Sequence, residues 1–230
     1  AQRVGYLRLL ARKSSRVSIE QFGTTHGGRP QLMLTIANTK NRQRLDEIRK
    51  AHLKLADPSN REQVDVSDLP AVILMGYGVH GDEASATNVS PLVAHYLAAA
   101  RGDEIDRILD NCIVLLDPSL NPDGFDRFAN WVNAFRGRIP SPDSRDAEHN
   151  QGWPPGRVNF YWFDLNRDWL PAVHPESKSR LRKYHNWKPN VVLDFHEMGT
   201  NSTFFFQPGI LKRTNPYTPG KNIELTQAFG

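Results

Sequence analysis

Two short runs of consecutive apolar residues decide what this chain can fold into. Leu69-Pro70-Ala71-Val72-Ile73-Leu74-Met75 is bounded by a proline and a glycine, and Asn190-Val191-Val192-Leu193-Asp194-Phe195 lies far downstream. Runs of this length that do not alternate with polar residues are the mark of strands covered on both faces. Each leads into a turn that carries a histidine: His80 in Met75-Gly-Tyr-Gly-Val-His-Gly-Asp-Glu-Ala84, and His196 in His196-Glu197-Met198-Gly199. As strands of one sheet they deliver both imidazoles to the same edge. In an open α/β sheet the crevice beyond the carboxyl ends of the strands is where ligands bind.

The rest of the chain alternates in the same style. Arg3 to Lys13 has apolar residues at helical spacing. Arg16 to Phe22 alternates as a half-buried strand does, and Gln31 to Ala37 follows a Gly-Gly-Arg-Pro turn, which predicts a hairpin. Helices are expected over Asn41 to Ala56, Asp82 to Ala100, Asp103 to Leu109, Glu176 to Trp187 and Lys221 to Phe229, with further strands over Cys112 to Leu116 and Ser202 to Gln207. A strand, helices and a strand between Leu69 and Leu116 form the usual crossover between parallel strands. From Asp117 to Gly124 turn residues dominate, and Gly137 to Gly156 is polar and rich in Pro and Gly, so this stretch reads as a long loop. The expected class is therefore α/β, a mixed, mostly parallel twisted sheet with helices on both faces. Its 230 residues suit one domain.

Composition removes several alternatives. No run of 18 apolar residues occurs, so no transmembrane segment is expected. The single cysteine, Cys112, lies inside an apolar run and packs as a small hydrophobe. A net charge of +4 raises the question of nucleic acid, but the basic residues are dispersed and mixed with acids, with no interleaved basic and aromatic face, so no nucleic-acid partner is expected.

The chemistry lies in the polar residues at the strand ends. His80 and Glu83 form an HxxE pair, which by itself arises by chance in roughly a third of chains with this composition. Adding His196 gives two imidazoles and a carboxylate, a known catalytic zinc ligand set with a fourth position left for water. Asp164-Leu165-Asn166-Arg167-Asp168-Trp169 offers a different function. A guanidinium fork with an adjacent amide can hold a free carboxylate, so Asn166 and Arg167 are candidates for substrate binding, against an ordinary surface Asp-Arg pair. Arg136 can polarise a carbonyl and steady an oxyanion, or simply be a solvated charge on a helix.

The order HxxE, Asn121-Pro122-Asp123-Gly124, Asp-x-Asn-Arg-x-Trp and a strand ending in His resembles the zinc metallocarboxypeptidases of the carboxypeptidase A type, over about Tyr6 to Gly209. Gly23-Thr24-Thr25-His26-Gly27-Gly28-Arg29-Pro30 is similar to a turn of that family. The resemblance implies one zinc ion held by His80, Glu83 and His196, with Asp164 hydrogen-bonded to the first ligand histidine. It places Asn166 and Arg167 on the C-terminal carboxylate of a peptide substrate and Arg136 at the scissile carbonyl. It also implies a sheet of about eight strands and a periplasmic or secreted location.

Departures accompany the resemblance. The family's general-base Glu, and the Tyr that precedes it, belong well beyond the third ligand and have no counterpart here. Glu197 adjoins a ligand and Glu224 lies too early to serve. The expectation is a zinc-dependent carboxypeptidase lacking its C-terminal part. The competing readings are a peptidoglycan amidase, a deacylase of N-acyl amino acids, and an inactive zinc- or peptide-binding fragment.

Overall fold

Alternation along the strands sets the layers. The computed structural model describes residues 2–199, 202 and 209–229. In chain order its elements are α1 (Gln2–Lys13), β1 (Val17–Thr24), β2 (Pro30–Ile36), α2 (Thr39–Gln43), α3 (Leu45–Leu55), β3 (Ala71–Tyr77), α4 (Ala84–Ala99), α5 (Asp103–Asn111), β4 (Cys112–Asp117), α6 (Pro122–Phe135), α7 (Pro175–Trp187), β5 (Val191–Phe195) and α8 (Gly220–Phe229). Leu34, Ile36, Val114, Leu116 and Tyr77 face one side of the sheet and pack on Leu7 and Leu10 of α1, Leu97 of α4 and Ile105 and Leu109 of α5. Met33, Val72, Leu74, Ile113 and Leu115, at the alternate positions of the same strands, face the other side, against Ile48 of α3 and Trp187 of α7. Each such side chain, fully buried, contributes about 1.5–3 kcal/mol.

Five strands make up the described sheet, in the order β1-β2-β4-β3-β5. The centre, β4-β3-β5, is parallel, while β1-β2 and β2-β4 pair antiparallel. This is the mixed sheet with helices on both faces that the sequence implies, with five strands described where the resemblance implies about eight.

Three local expectations need correction. The helix expected over Asn41 to Ala56 is split, because Arg44 leaves helical geometry at φ −115° and ψ 22° and both ends one helix and begins the next. The turn-rich stretch after Asp117 is the start of α6: Asn121 accepts the Gly124 N–H at 2.9 Å as its cap, and Pro122 occupies the first turn, where its missing N–H costs nothing. The last apolar run does form β5, but not a strand covered on both faces, since Val192 and Leu193 remain 44% and 39% exposed. It pairs with β3 alone among the described residues, so it is an edge there.

Residues 1–196 form one compact unit and residues 197–230 a second. The second unit holds a short turn of helix at Leu211–Arg213 and α8. The strand expected over Ser202 to Gln207 lies outside the described residues apart from Ser202.

Candidate metal centre

β3 and β5 run side by side with Tyr77 opposite Phe195, their rings stacked 4.3 Å apart. That register brings the carboxyl ends of both strands together. His80 follows β3 by three residues, Glu83 stands at the start of α4, and His196 is the first residue after β5. His80 Nδ1 lies 2.7 Å from Glu83 Oε1, and His196 Nδ1 lies 3.0 Å from Glu83 Oε2. One donor atom from each of the three falls within 4.8 Å of the others.

The far side of each imidazole is anchored too. His80 Nε2 meets Asp164 Oδ1 at 3.1 Å, and His196 Nε2 meets Asp194 Oδ2 at 3.0 Å. A carboxylate behind each ring accepts a hydrogen bond from the Nε2–H, fixes the ring's orientation and leaves Nδ1 as the atom turned toward the shared Glu83. Burial disfavours a charged His80, yet the hydrogen bond and charge of Glu83, helped by Asp164, raise its affinity for a proton on balance. This is the electrostatics of a cation site: carboxylates facing both ring nitrogens favour positive charge between them. The donor set thus fits a zinc ion, which would take the place of the Nδ1 protons.

Arg157 limits that negative charge. Its Nη2 and Nε lie 3.0 and 3.1 Å from Asp164 Oδ2, and Nη1 lies 3.6 Å from Glu83 Oε1. Burial works to raise the Asp164 carboxyl, but the Asn166 N–H, Arg157 and His80 together hold it below its usual range. Arg157 also opposes protonation of His80.

The segment bearing Arg157 and Asp164 is fixed by α6. Arg127 donates from Nη1 to the Pro155 and Val158 carbonyls at 3.2 and 3.0 Å and from Nη2 to the Asn159 carbonyl at 3.0 Å. Asn121 donates to the Arg157 carbonyl at 3.1 Å. Three backbones meet at this point: a Cβ on Gly81 would lie 2.1 Å from Gly124 C and Phe125 N, and one on Gly124 would lie 2.3 Å from Gly156 O. The Asp of Asn-Pro-Asp-Gly holds the early turn, since Asp123 accepts from Thr25 Oγ1, the Gly27 N–H and Arg29 Nη1 at 3.0, 3.0 and 2.8 Å.

Asn166 and Arg167 form a short helical turn directly after Asp164. Asn166 is oriented by the Trp169 indole N–H, which donates to its Oδ1 at 2.9 Å. Arg167 is exposed, its Nη1 donating to the Asn166 carbonyl at 3.2 Å. Arg136 is exposed just past the end of α6, where its backbone N–H meets the Val132 carbonyl. The guanidinium seen at Glu83 is that of Arg157.

Sequence reasoning missed Arg157 and Asp194. Asp194 was legible in principle, because residues two apart on a strand share a face and Asp194 precedes His196 by two. Arg157, inside a Pro-rich and Gly-rich loop, carried no such signal. Asp168 has a structural account as well: fully buried, it accepts the Val173 and His174 N–H groups, each at 3.0 Å, and so shapes the entry to α7.

The model of the family described as zinc carboxypeptidase matches residues 4–202. A metallocarboxypeptidase A from Trichophyton tonsurans is 28% identical over 178 residues, covering 70% of this chain and 40% of that protein. The chain thus spans about 40% of the length of this curated relative. In fold it is similar to a metallo-carboxypeptidase from Burkholderia cenocepacia, with a TM-score of 0.53, 18% identity and coverage of 86% of this chain and 40% of that one. It is similar also to a metallo-carboxypeptidase from Pseudomonas aeruginosa solved with (2-guanidinoethylmercapto)succinic acid, with a TM-score of 0.52, 20% identity and coverage of 86% and 39%.

Proposed function

The chain belongs to the zinc carboxypeptidase family, and from that premise we propose that it is the zinc-holding part of an enzyme that hydrolyses the C-terminal peptide bond of peptides. One observation carries the reading: two imidazole Nδ1 atoms face the two oxygens of one carboxylate, 2.7 and 3.0 Å away, with an aspartate behind each ring. His80, Glu83 and His196 would hold the ion. Zinc so bound polarises a carbonyl and brings the ionisation of a water close to neutral pH.

The chain's own residues do the rest. Asp164 and Asp194 keep the Nε2 protons in place and the two rings fixed. Arg157 neutralises part of the carboxylate charge, which favours the unprotonated His80 that a ligand must be. The Arg167 fork, with the Asn166 amide set by Trp169, receives the substrate's terminal carboxylate through charge-assisted hydrogen bonds. Arg136, at the interval the family resemblance gives it, is the residue proposed to steady the oxyanion. Such a protein would work outside the cytoplasm.

Metal analysis and peptide binding test the reading together. The chain is expected to hold zinc that His80→Ala and His196→Ala each release. A short peptide with a free C-terminus should bind at least tenfold more tightly than its C-terminal amide, a preference that Arg167→Ala removes. Zinc content unchanged in both histidine variants would sink the metal assignment, and equal affinity for acid and amide would sink the carboxylate site. Hydrolysis of peptide, muropeptide and acyl-amino-acid substrates by a chain extended to the relatives' length separates the substrate classes.

A further inference from the structure

A second group of imidazoles and a carboxylate lies on other elements. His26 sits in the turn between β1 and β2, His174 precedes α7 and Glu176 stands in the first turn of that helix. One donor atom from each falls within 4.8 Å of the others. His26 Nε2 and His174 Nδ1 are 3.2 Å apart. Two nitrogens bound to one zinc at about 2.0–2.1 Å in tetrahedral array stand about 3.3 Å apart, so the rings already hold a ligand spacing.

The surroundings set the protonation that a ligand needs. Asn159 is wholly buried, and its Oδ1 accepts the Tyr161 and Phe163 N–H groups, each at 3.0 Å. That fixes the amide, so the group turned to His174 Nδ1, at 3.1 Å, is the donating Nδ2. His174 Nδ1 is therefore the unprotonated nitrogen, the form in which imidazole binds metal, and an ion bound there would take over the lone pair that now accepts the Asn159 hydrogen bond. Glu176 is only 2% exposed. Its Oε1 accepts the His26 N–H at 3.2 Å, while Oε2 has no hydrogen-bond partner among the described residues. A buried carboxylate oxygen without a donor is destabilising; the charge of Arg180 offsets part of that cost, and an ion bound at Oε2 would give it a direct partner.

We propose that His26, His174 and Glu176 form a second metal site, for a divalent transition ion of the zinc type. Two imidazoles and one carboxylate are suited to that class of ion and poorly suited to the oxygen-seeking magnesium or calcium. The ion would fasten the turn after β1 to the start of α7, beside the 159–163 segment that leads into Asp164. Its role is to brace the segment that carries the Asn166-Arg167 carboxylate fork.

The experiment is a zinc and cobalt titration of the metal-stripped chain, read by calorimetry and by the visible absorption of bound cobalt. Two equivalents are expected in the unaltered chain. The variant His80→Ala/His196→Ala should keep one, and adding His26→Ala, at an exposed side chain, should remove it. Glu176→Gln, which preserves shape, should weaken the remaining site at least tenfold. A titration in which His26→Ala and Glu176→Gln leave both stoichiometry and affinity unchanged, in chains with unaltered circular dichroism, overturns the proposal. Loss of one equivalent in His26→Ala alone supports it even where the His80→Ala/His196→Ala variant fails to fold. Failure at the first centre reads differently, because there the equivalent lost is the one that depends on His80 and His196.

Discussion

At the scale of single residues, the proposed metal centre would depend on groups that do not themselves hold the ion. Asp164 and Asp194 each hold the outer nitrogen of one ligand ring. Replacing such a partner costs metal affinity about 10–100-fold in comparable sites. Asp194→Asn keeps the size of the side chain but weakens its hold on His196, so zinc affinity measured by competition with a coloured chelator should fall within that range while the fold is retained. An unchanged affinity would mean that the ring is held by its neighbours and not by Asp194. The gathering of His80, Glu83 and His196 at one point was legible because strand ends and HxxE spacing both pointed to it. Arg157 was not, because nothing in a loop sequence states which carboxylates its guanidinium will meet.

At the scale of elements, the strands were readable for a simple reason. Leu34 and Ile36 face one core while Met33 faces the other, and a sheet covered on both sides leaves few polar residues, such as Gln31 and Thr35 in β2, to blur such a run. The α6 helix was not readable, because Asn121-Pro122-Asp123-Gly124 has the composition of a turn and acts as a helix start. Only tertiary contacts separate the two: Asp123 is consumed by the turn at Thr25 to Arg29 and Asn121 by the Arg157 carbonyl. Likewise β5 reads as a fully buried strand from sequence, whereas its burial depends on which elements flank it. The junction of β3, α6 and the 156 segment makes a sharp prediction. Gly81→Ala places a methyl 2.1 Å from Gly124 C and Phe125 N, main-chain atoms that cannot swing aside. It should destabilise the chain by more than about 3 kcal/mol in urea unfolding. A loss below 1 kcal/mol would show that the junction yields.

At the scale of the whole molecule, one buried charge makes stability depend on pH. Asp117, at the end of β4, is 1% exposed, its Oδ2 lacks a hydrogen-bond partner among the described residues, and burial pushes its carboxyl up to about 7 against the Ser119 N–H and the charge of Arg180. Arg180 is driven the other way by burial, down to about 10, although Asp117, Asp194, Asp168 and Glu176 all favour its charge. A carboxyl raised in the folded chain binds its proton more tightly there than when unfolded. The stability it contributes is present in full below about pH 4 and is lost as pH rises through 7. The span from 3.8 to about 7 corresponds to about 4 kcal/mol at most. Asp117→Asn should therefore flatten the decline in stability between pH 4 and 7 and leave the variant more stable than the parent at pH 8. Parallel pH profiles for the two chains would refute this.

The grip of Arg127 on the Pro155, Val158 and Asn159 carbonyls has a consequence for redesign. The 141–150 stretch bonds largely to itself and its near neighbours, through Glu148, His149 and Asn150. Its tether, at the 155–159 carbonyls, lies after it in the chain and ahead of Asp164. The 141–150 stretch is thus separable: foreign sequence of equal length there should leave the segment that bears Arg157 and Asp164 where Arg127 holds it.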